Sequence, residues 1–279
     1  MTIFHATAFP KTKDGGNKAG VVYPADDLSK AEMQAIAKEL NYSETAFVLN
    51  SRLADFKVWF FTPTEQVDLC GHATIATFNM LRDKGVIAPG MYTQQTEVGI
   101  LKLDVHEDEV YMQQKNPLFG ETVSNRVIRH CFEEKDFIKD KNKIQIVSTG
   151  LREIFVPIKD VKTMNQLTPK FKKMTQVANQ YRVIGLHLFS FDENGQLYGR
   201  NFAPGVGINE ESATGTSNGA LACYLYRYRD DKKTEYSLYQ GFSMNLPSEI
   251  KVKLEIDHRQ DIKTVWVGGK AIKLKEELR

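Results

Sequence analysis

Cysteine is scarce in this 279-residue chain, which has three, alongside two tryptophans and nine prolines. Cys70, Cys131 and Cys223 show neither metal-knuckle spacing nor the density of a disulfide scaffold, and no signal-like segment precedes the strand-like start Met1-Thr2-Ile3-Phe4. Both features predict reduced thiols in a cytoplasmic protein. No apolar run approaches the roughly 18 residues that a membrane span needs, so no membrane partner is expected. Excess charge of one sign is also missing: 37 basic residues face 35 acidic ones, for a net charge of +2. That balance gives no field for nucleic acid or an anionic lipid surface. Mixed runs such as Glu133-Glu134-Lys135-Asp136 and Lys139-Asp140-Lys141 read as a solvated helix face. There is no phosphate loop, dinucleotide fingerprint or serine elbow. His5, His72, His106, His130, His187 and His258 show no zinc-ligand spacing. A site with no metal and no cofactor is the expectation.

What is present is an ordinary globular composition, 42% apolar and 26% charged, long enough for two domains. Strand-like alternation is read at residues 3–9, 19–23, 45–49, 55–62, 91–96, 100–105 and 110–114. Ser29 caps a predicted helix over residues 30–40. Lys115-Asn116-Pro117 breaks the pattern and marks a boundary. Beyond it, helices are predicted over residues 132–141 and 169–180. Strands are predicted over 144–148, 153–158, 183–190, 196–202, 237–242, 249–256 and 264–268. The expected halves are residues 1–115, completed by 264–279, and residues 116–263.

Two stretches are alike: DLCGHATIATFNML from Asp68 and ESATGTSNGALACYL from Glu211. Setting Gly71 against Gly215 pairs Cys70 with Thr214, Ala76 with Ala220 and Leu81 with Leu225. Phe61-Thr62-Pro63 and Phe202-Ala203-Pro204 precede them. Each reads as a small-residue turn opening into a helix that is apolar nearly all round, which must be covered on every side. The economical solution is an α+β fold of two pseudo-symmetric halves. Each half is a curled, mostly antiparallel, barrel-like sheet around one central helix. Only the helix N-termini then emerge, and their unpaired N–H groups attract anions. A carboxylate- or phosphate-sized site between the halves is expected.

Glu44 stands at a predicted helix-to-strand junction beside Ser43. Burial disfavours a charged carboxylate, so a carboxyl at such a junction suits proton transfer near neutrality; the plainer reading is a surface glutamate in a turn. His72 starts a buried helix, either to donate to an anion and relay a proton or to cap its turn. Cys70 is either a helix-start nucleophile or a small packed residue. The acidic pair Glu210 and Glu211 either complements the helix dipole or places one carboxylate toward a substrate amine or toward Glu44. Thr216 either binds a substrate carboxylate or caps its helix.

Taken together, the residues resemble the PhzF-like proteins of phenazine biosynthesis, which share the fold of diaminopimelate epimerase. The resemblance is carried by Gly16-Asn17, Met33-Gln34-Ala35-Ile36-Ala37, Asn41-Tyr42-Ser43-Glu44-Thr45-Ala46-Phe47, Phe61-Thr62-Pro63 and Cys70-Gly71-His72-Ala73-Thr74. Further along, Arg200-Asn201-Phe202-Ala203-Pro204, Ala213-Thr214-Gly215, Gln240-Gly241, Pro247-Ser248 and Val267-Gly268-Gly269 continue it. It implies a cofactor-free isomerase, commonly a homodimer, that shifts a proton on a small carboxylate-bearing substrate. By position it implies catalytic roles for Glu44, His72 and Glu211. Substrate binding then falls to Asn17, Ser43, Cys70, Gly71, Ala73, Thr214, Gly215 and Thr216. Glu211 stands where the family usually has aspartate, Thr216 where serine is usual and Leu246 where arginine is common. Lys18 and Ala19 replace the proline expected after Gly-Asn. Epimerase relatives use one cysteine per helix start, whereas here Thr214 faces Cys70, and a threonine hydroxyl is too weak an acid to serve as the second base. Two other readings stand beside the isomerase: a non-catalytic small-anion binding protein, and a cysteine-dependent epimerase or racemase using Cys70.

Overall fold

The computed structural model of the protein describes residues 1–139 and 143–279. In chain order the first elements are β1 (Thr2–Ala8), β2 (Asn17–Tyr23), α1 (Lys30–Leu40), β3 (Glu44–Leu49), β4 (Phe56–Phe61), β5 (Gln66–Val67), α2 (Gly71–Asp83), β6 (Gly90–Thr96), β7 (Gly99–Val105) and β8 (Val110–Gln114). There follow β9 (Leu118–Thr122), α3 (Asn125–Arg129), β10 (Gln145–Ser148), β11 (Arg152–Pro157), α4 (Val161–Gln166), α5 (Phe171–Tyr181), β12 (Gly185–Phe191) and β13 (Leu197–Ala203). The last are β14 (Ile208–Glu211), α6 (Gly215–Tyr228), β15 (Glu235–Gln240), β16 (Ser248–Ile256), β17 (Ile262–Gly269) and β18 (Ala271–Leu278). The chain forms two compact units: Met1–Gln113 with Gly268–Arg279, and Gln114–Val267.

In the first unit the strands lie in the order β18-β1-β2-β3-β4-β6-β7-β8. Successive pairings are antiparallel, antiparallel, parallel, antiparallel, parallel, antiparallel and antiparallel, with β5 folded back on β4. The second unit runs β9-β10-β11-β12-β13-β15-β16, and its six pairings repeat the first six senses in order, with β14 folded back on β13. The duplication seen at two helix starts therefore extends through the whole pairing scheme. Each parallel pair is bridged by a helical crossover, as parallel pairing requires.

Helix α2 shows why the first sheet curls. All ten of its residues from His72 to Leu81 are buried, and it packs on β18 and β1 near one end of the sheet and on β7 near the other. Strands so far apart in the order reach one helix only if the sheet bends around it. In the second unit α6 is buried from Ser217 to Tyr226 and packs on both β10 and β16. Helix α1 is an ordinary amphipathic crossover. Ser29 and Glu32 form a capping box, and Met33, Ile36 and Ala37 face a core with Ile3, Val22, Phe47 and Phe61. Asn41 ends it in the left-handed region, at φ 51°, which swings the chain into β3.

The strand expectations are met with small shifts of boundary. The helix predicted over residues 132–141 is not there: residues 132–139 are irregular, and 140 and 141, with most of the Lys139-Asp140-Lys141 run, lie outside the described residues. Phe132, Phe137 and Ile138 are the buried positions of this segment, a spacing that no single helix face provides. Phe132 and Ile138 instead bridge to Pro169 and Ile158. Strand β9 and helices α3 and α4 had no sequence expectation; α4 is announced only by Asp160, whose carboxylate caps Thr163 N–H at 2.7 Å.

Phe78 is fully buried in α2 and meets Phe56 edge-on at 5.8 Å between ring centres. Phe78→Ala is expected to cost about 3–5 kcal/mol in chemical denaturation, the usual range for emptying such a site. A loss below about 1 kcal/mol would mean that the wrapping of α2 is loose.

Candidate active site

The first unit gathers four of the predicted site residues around the imidazole of a fifth, His72. The left-handed turn at Asn41 leads through Tyr42 and Ser43 to Glu44, the first residue of β3. Tyr42 is held by His5, with its hydroxyl 2.8 Å from Nδ1, and this ties the turn to β1. On the neighbouring strand, Gly16 takes φ 88° just before Asn17, and a Cβ there would come within 2.4 Å of Thr7 Oγ1. Glycine is required at that turn, and it aims Asn17 at the start of α2.

His72, only 4% exposed, lies at the centre. Its Nδ1 is 3.3 Å from Asn17 Nδ2 and 3.4 Å from Cys70 Sγ. Its Nε2 is 3.3 Å from Ser43 Oγ and 3.3 Å from Glu44 Oε2. Burial pushes the His72 pKa down, against the opposing pull of the Glu44 carboxylate and of a hydrogen bond to the Lys18 carbonyl. The ring is therefore neutral near pH 7. Asn17 Nδ2 can only donate, so Nδ1 accepts and Nε2 carries the proton on the side of Glu44. Glu44 Oε2 is buried and, although near Nε2, makes no aligned hydrogen bond. A carboxylate oxygen facing a neutral imidazole without a fixed partner is placed to take up or release a proton.

Cys70 is the N-cap of α2, but its side chain makes no capping bond. The turn is fixed by Thr74, whose hydroxyl donates to the Cys70 carbonyl at 2.8 Å and accepts from buried Gln94 at 3.0 Å. Gly71 and Ala73 stand on either side of His72 in this first turn. One donor atom each from Glu44, Cys70 and His72 lies within 4.8 Å of the others, a carboxylate–thiol–imidazole set able to hold a divalent ion. Sequence spacing did not disclose that set, because Glu44 comes from a different strand.

The remaining predicted residues occupy the start of α6 in the second unit. Thr214, the N-cap, likewise makes no capping bond; its hydroxyl donates to Glu211 Oε2 at 2.6 Å. Asn218 repeats the role of Thr74 by donating to the N-cap carbonyl at 2.9 Å, and it also donates to Gln240 Oε1 at 2.7 Å. Gln240 in turn donates to the Glu211 carbonyl at 2.7 Å. Thr216 lies within the helix rather than at its cap, and its carbonyl accepts from Thr149 at 3.1 Å. Glu210 is committed elsewhere, to a bidentate pair with buried Arg200 at 2.8 and 2.9 Å. The supporting residues Thr74, Gln94, Asn218 and Gln240 escaped the sequence reading. The repeat alignment already sets Thr74 against Asn218, which is the signal that could have flagged that pair.

With this geometry in place, comparison with known proteins is specific. The family model for phenazine biosynthesis-like proteins, PhzC-PhzF, matches residues 6–277. An uncharacterized isomerase of Clostridium acetobutylicum is 33% identical over 293 residues, covering 99% of this chain and 97% of its own. The crystal structure of a Bacillus anthracis phenazine biosynthesis protein of the PhzF family superposes with a TM-score of 0.90 at 28% identity, covering 99% of this chain and 98% of that one. A hydroxyproline epimerase from Agrobacterium vitis shares the fold alone, with a TM-score of 0.62 at 12% identity over 99% of this chain and 90% of that one. The fold is shared with racemase- and epimerase-type proteins. The chain belongs to the phenazine biosynthesis-like family.

The lowered pKa of His72 fixes a sign. Its neutral form contributes fully to stability above the free-histidine value of about 6.5, and that contribution is lost as pH falls below it toward the lower folded value. In an NMR titration the His72 ring should keep its neutral shifts at pH 6 and titrate below the free-histidine range. A midpoint at or above about 6.5 would contradict the neutral assignment.

Proposed function

We propose that this protein is a cofactor-independent isomerase that shifts a proton on a small carboxylate-bearing substrate. The first turn of α2 receives the carboxylate on its backbone N–H groups, aided by the positive end of the helix dipole. Glu44 takes a proton from carbon and returns it elsewhere on the same face. His72 stays neutral and donates from Nε2, so that it steadies the carboxylate of Glu44 or the charge growing on the substrate without trapping either as a salt bridge. Asn17 and Ser43 hold the ring, and Cys70 packs beneath it. The start of α6, with Glu211, Gly215 and Thr216, is a second anion-binding turn.

The observation that carries this reading is the buried, unbonded Oε2 of Glu44, 3.3 Å from the imidazole. The repeat supplies the argument for a single base. Ala19 pairs with Glu44 in the first unit, and Glu153 pairs with Gly185 at the same place in the second. Gly185 thus stands where Glu44 stands, and even a Cβ there would come within 1.9 Å of the Phe202 carbonyl oxygen. Thr214 replaces Cys70, and Thr216 replaces His72. The second unit has no group of matching acidity at any of the three positions, which favours one carboxylate on one face over two opposed thiols.

The test is incubation with a metabolite library in heavy water, reading which compound gains deuterium. Glu44→Gln should lower turnover of that compound by at least about 10²-fold, while Cys70→Ala should keep most of it. Near-normal turnover in Glu44→Gln would sink the assignment. The 3.4 Å contact between Cys70 Sγ and His72 Nδ1 favours one second reading, a thiol-dependent epimerase. Loss of activity in Cys70→Ala, or on alkylation, would establish it. Turnover should also survive dialysis against a chelator, and its loss with recovery on adding Zn²⁺ would assign the Glu44–Cys70–His72 set to a metal instead.

A further inference from the structure

The second unit buries a polar network that this chemistry does not use. Asn201 Nδ2 lies 3.0 Å from Glu153 Oε1, 3.1 Å from His187 Nδ1 and 3.1 Å from Ser217 Oγ, and Glu153 also bonds Ser217. All four residues are at most 2% exposed. Glu153 Oε2 and His187 Nε2 have no hydrogen-bond partner. The side chains come from β11, β12, β13 and the first turn of α6.

Matched strand registers show that the network is an addition to the repeated fold. Ala19 holds the place of Glu153, Ala46 that of His187, Phe60 that of Asn201 and Ala73 that of Ser217. All four counterparts are fully buried and apolar. The packing has been adjusted to admit the polar set. Val58 of the first unit is matched by Gly199, where a Cβ would meet His187 Nε2 at 2.8 Å. Burying four polar side chains in place of a well-packed apolar layer brings no stability of its own, so the network calls for another role.

We propose that Glu153, His187 and Asn201 are positioning residues that act through Ser217 to fix the first turn of α6 and the direction of its N–H groups. The inference rests on reading that turn as an anion-binding start. The Ser217 side chain reaches Asn201 on β13 and Glu153 on β11, while the Thr214 hydroxyl bonds Glu211, the Thr216 carbonyl accepts from Thr149 and Asn218 bonds Gln240. Burial pushes the Glu153 carboxyl up and the His187 imidazole down to about 3, so it disfavours charge on both side chains beneath N–H groups meant for an anion.

The experiment uses the ligand-free protein, so its outcome is independent of whether Glu44 moves a proton. Ser217→Ala installs the residue that the first unit carries at this place and should fold. It should raise amide hydrogen exchange over residues 214–220 about tenfold, with residues 71–76 of α2 unchanged. Glu153→Gln keeps a hydrogen-bonding side chain of the same shape and should stay within about twofold of the wild type. Unchanged exchange in Ser217→Ala would overturn the positioning role. Exchange in Glu153→Gln as fast as in Ser217→Ala would overturn the part played by the Glu153 hydrogen bonds.

Discussion

A helix with no polar face has to be enclosed, and the rest of this protein follows from that constraint. Helices α2 and α6 are apolar nearly all round, so each is wrapped by its own sheet. Wrapping leaves the N-terminal turn as the place where a central helix can present polar groups. Small residues there (Gly71 and Ala73 in one helix, Gly215 in the other) keep the backbone open to approach. Both turns leave the N-cap side chain uncommitted to capping, and both are steadied instead at the fourth helical position, by Thr74 and by Asn218. Two turns of the same backbone design therefore serve different side-chain chemistry.

The difference lies in which layers are titratable. In the first unit the layer beneath the helix start is Ala19, Ala46, Phe60 and Ala73, and the polar groups collect at its mouth as Asn17, Ser43, Glu44, Cys70 and His72. In the second unit the order is reversed: the layer beneath is Glu153, His187, Asn201 and Ser217, and Gly185, Thr214 and Thr216 stand at the mouth. The two units keep the same register although the side chains differ, because register is fixed by sheet pairing and burial together. One unit carries its titratable groups at the mouth of the helix start and the other carries them beneath it.

Much of this was legible in the sequence because it depended on local pattern. The repeat, the enclosed helices, the strands and the candidates Glu44 and His72 all follow from periodicity, turn residues and the order of short motifs. What escaped depended on contacts distant in sequence. Gln94 reads as an ordinary strand residue and Gln240 as part of a short Gln-Gly motif, and only the fold brings them to Thr74 and Asn218. The proximity of Cys70, His72 and Glu44 arises from β3 lying beside α2, which no spacing rule expresses. The helix expected over residues 132–141 failed for a related reason: buried Phe132, Phe137 and Ile138 serve a loop whose partners, Ile158 and Pro169, come later in the chain.

The central claim is that a single carboxylate works on one face of the substrate. The most direct measurement follows a substrate deuterated at the carbon that loses its proton, turned over in ordinary water. The account predicts that part of the label reappears at the carbon that gains a proton, on the same face, carried there by Glu44. A product bearing only solvent hydrogen, delivered to the opposite face, would contradict it.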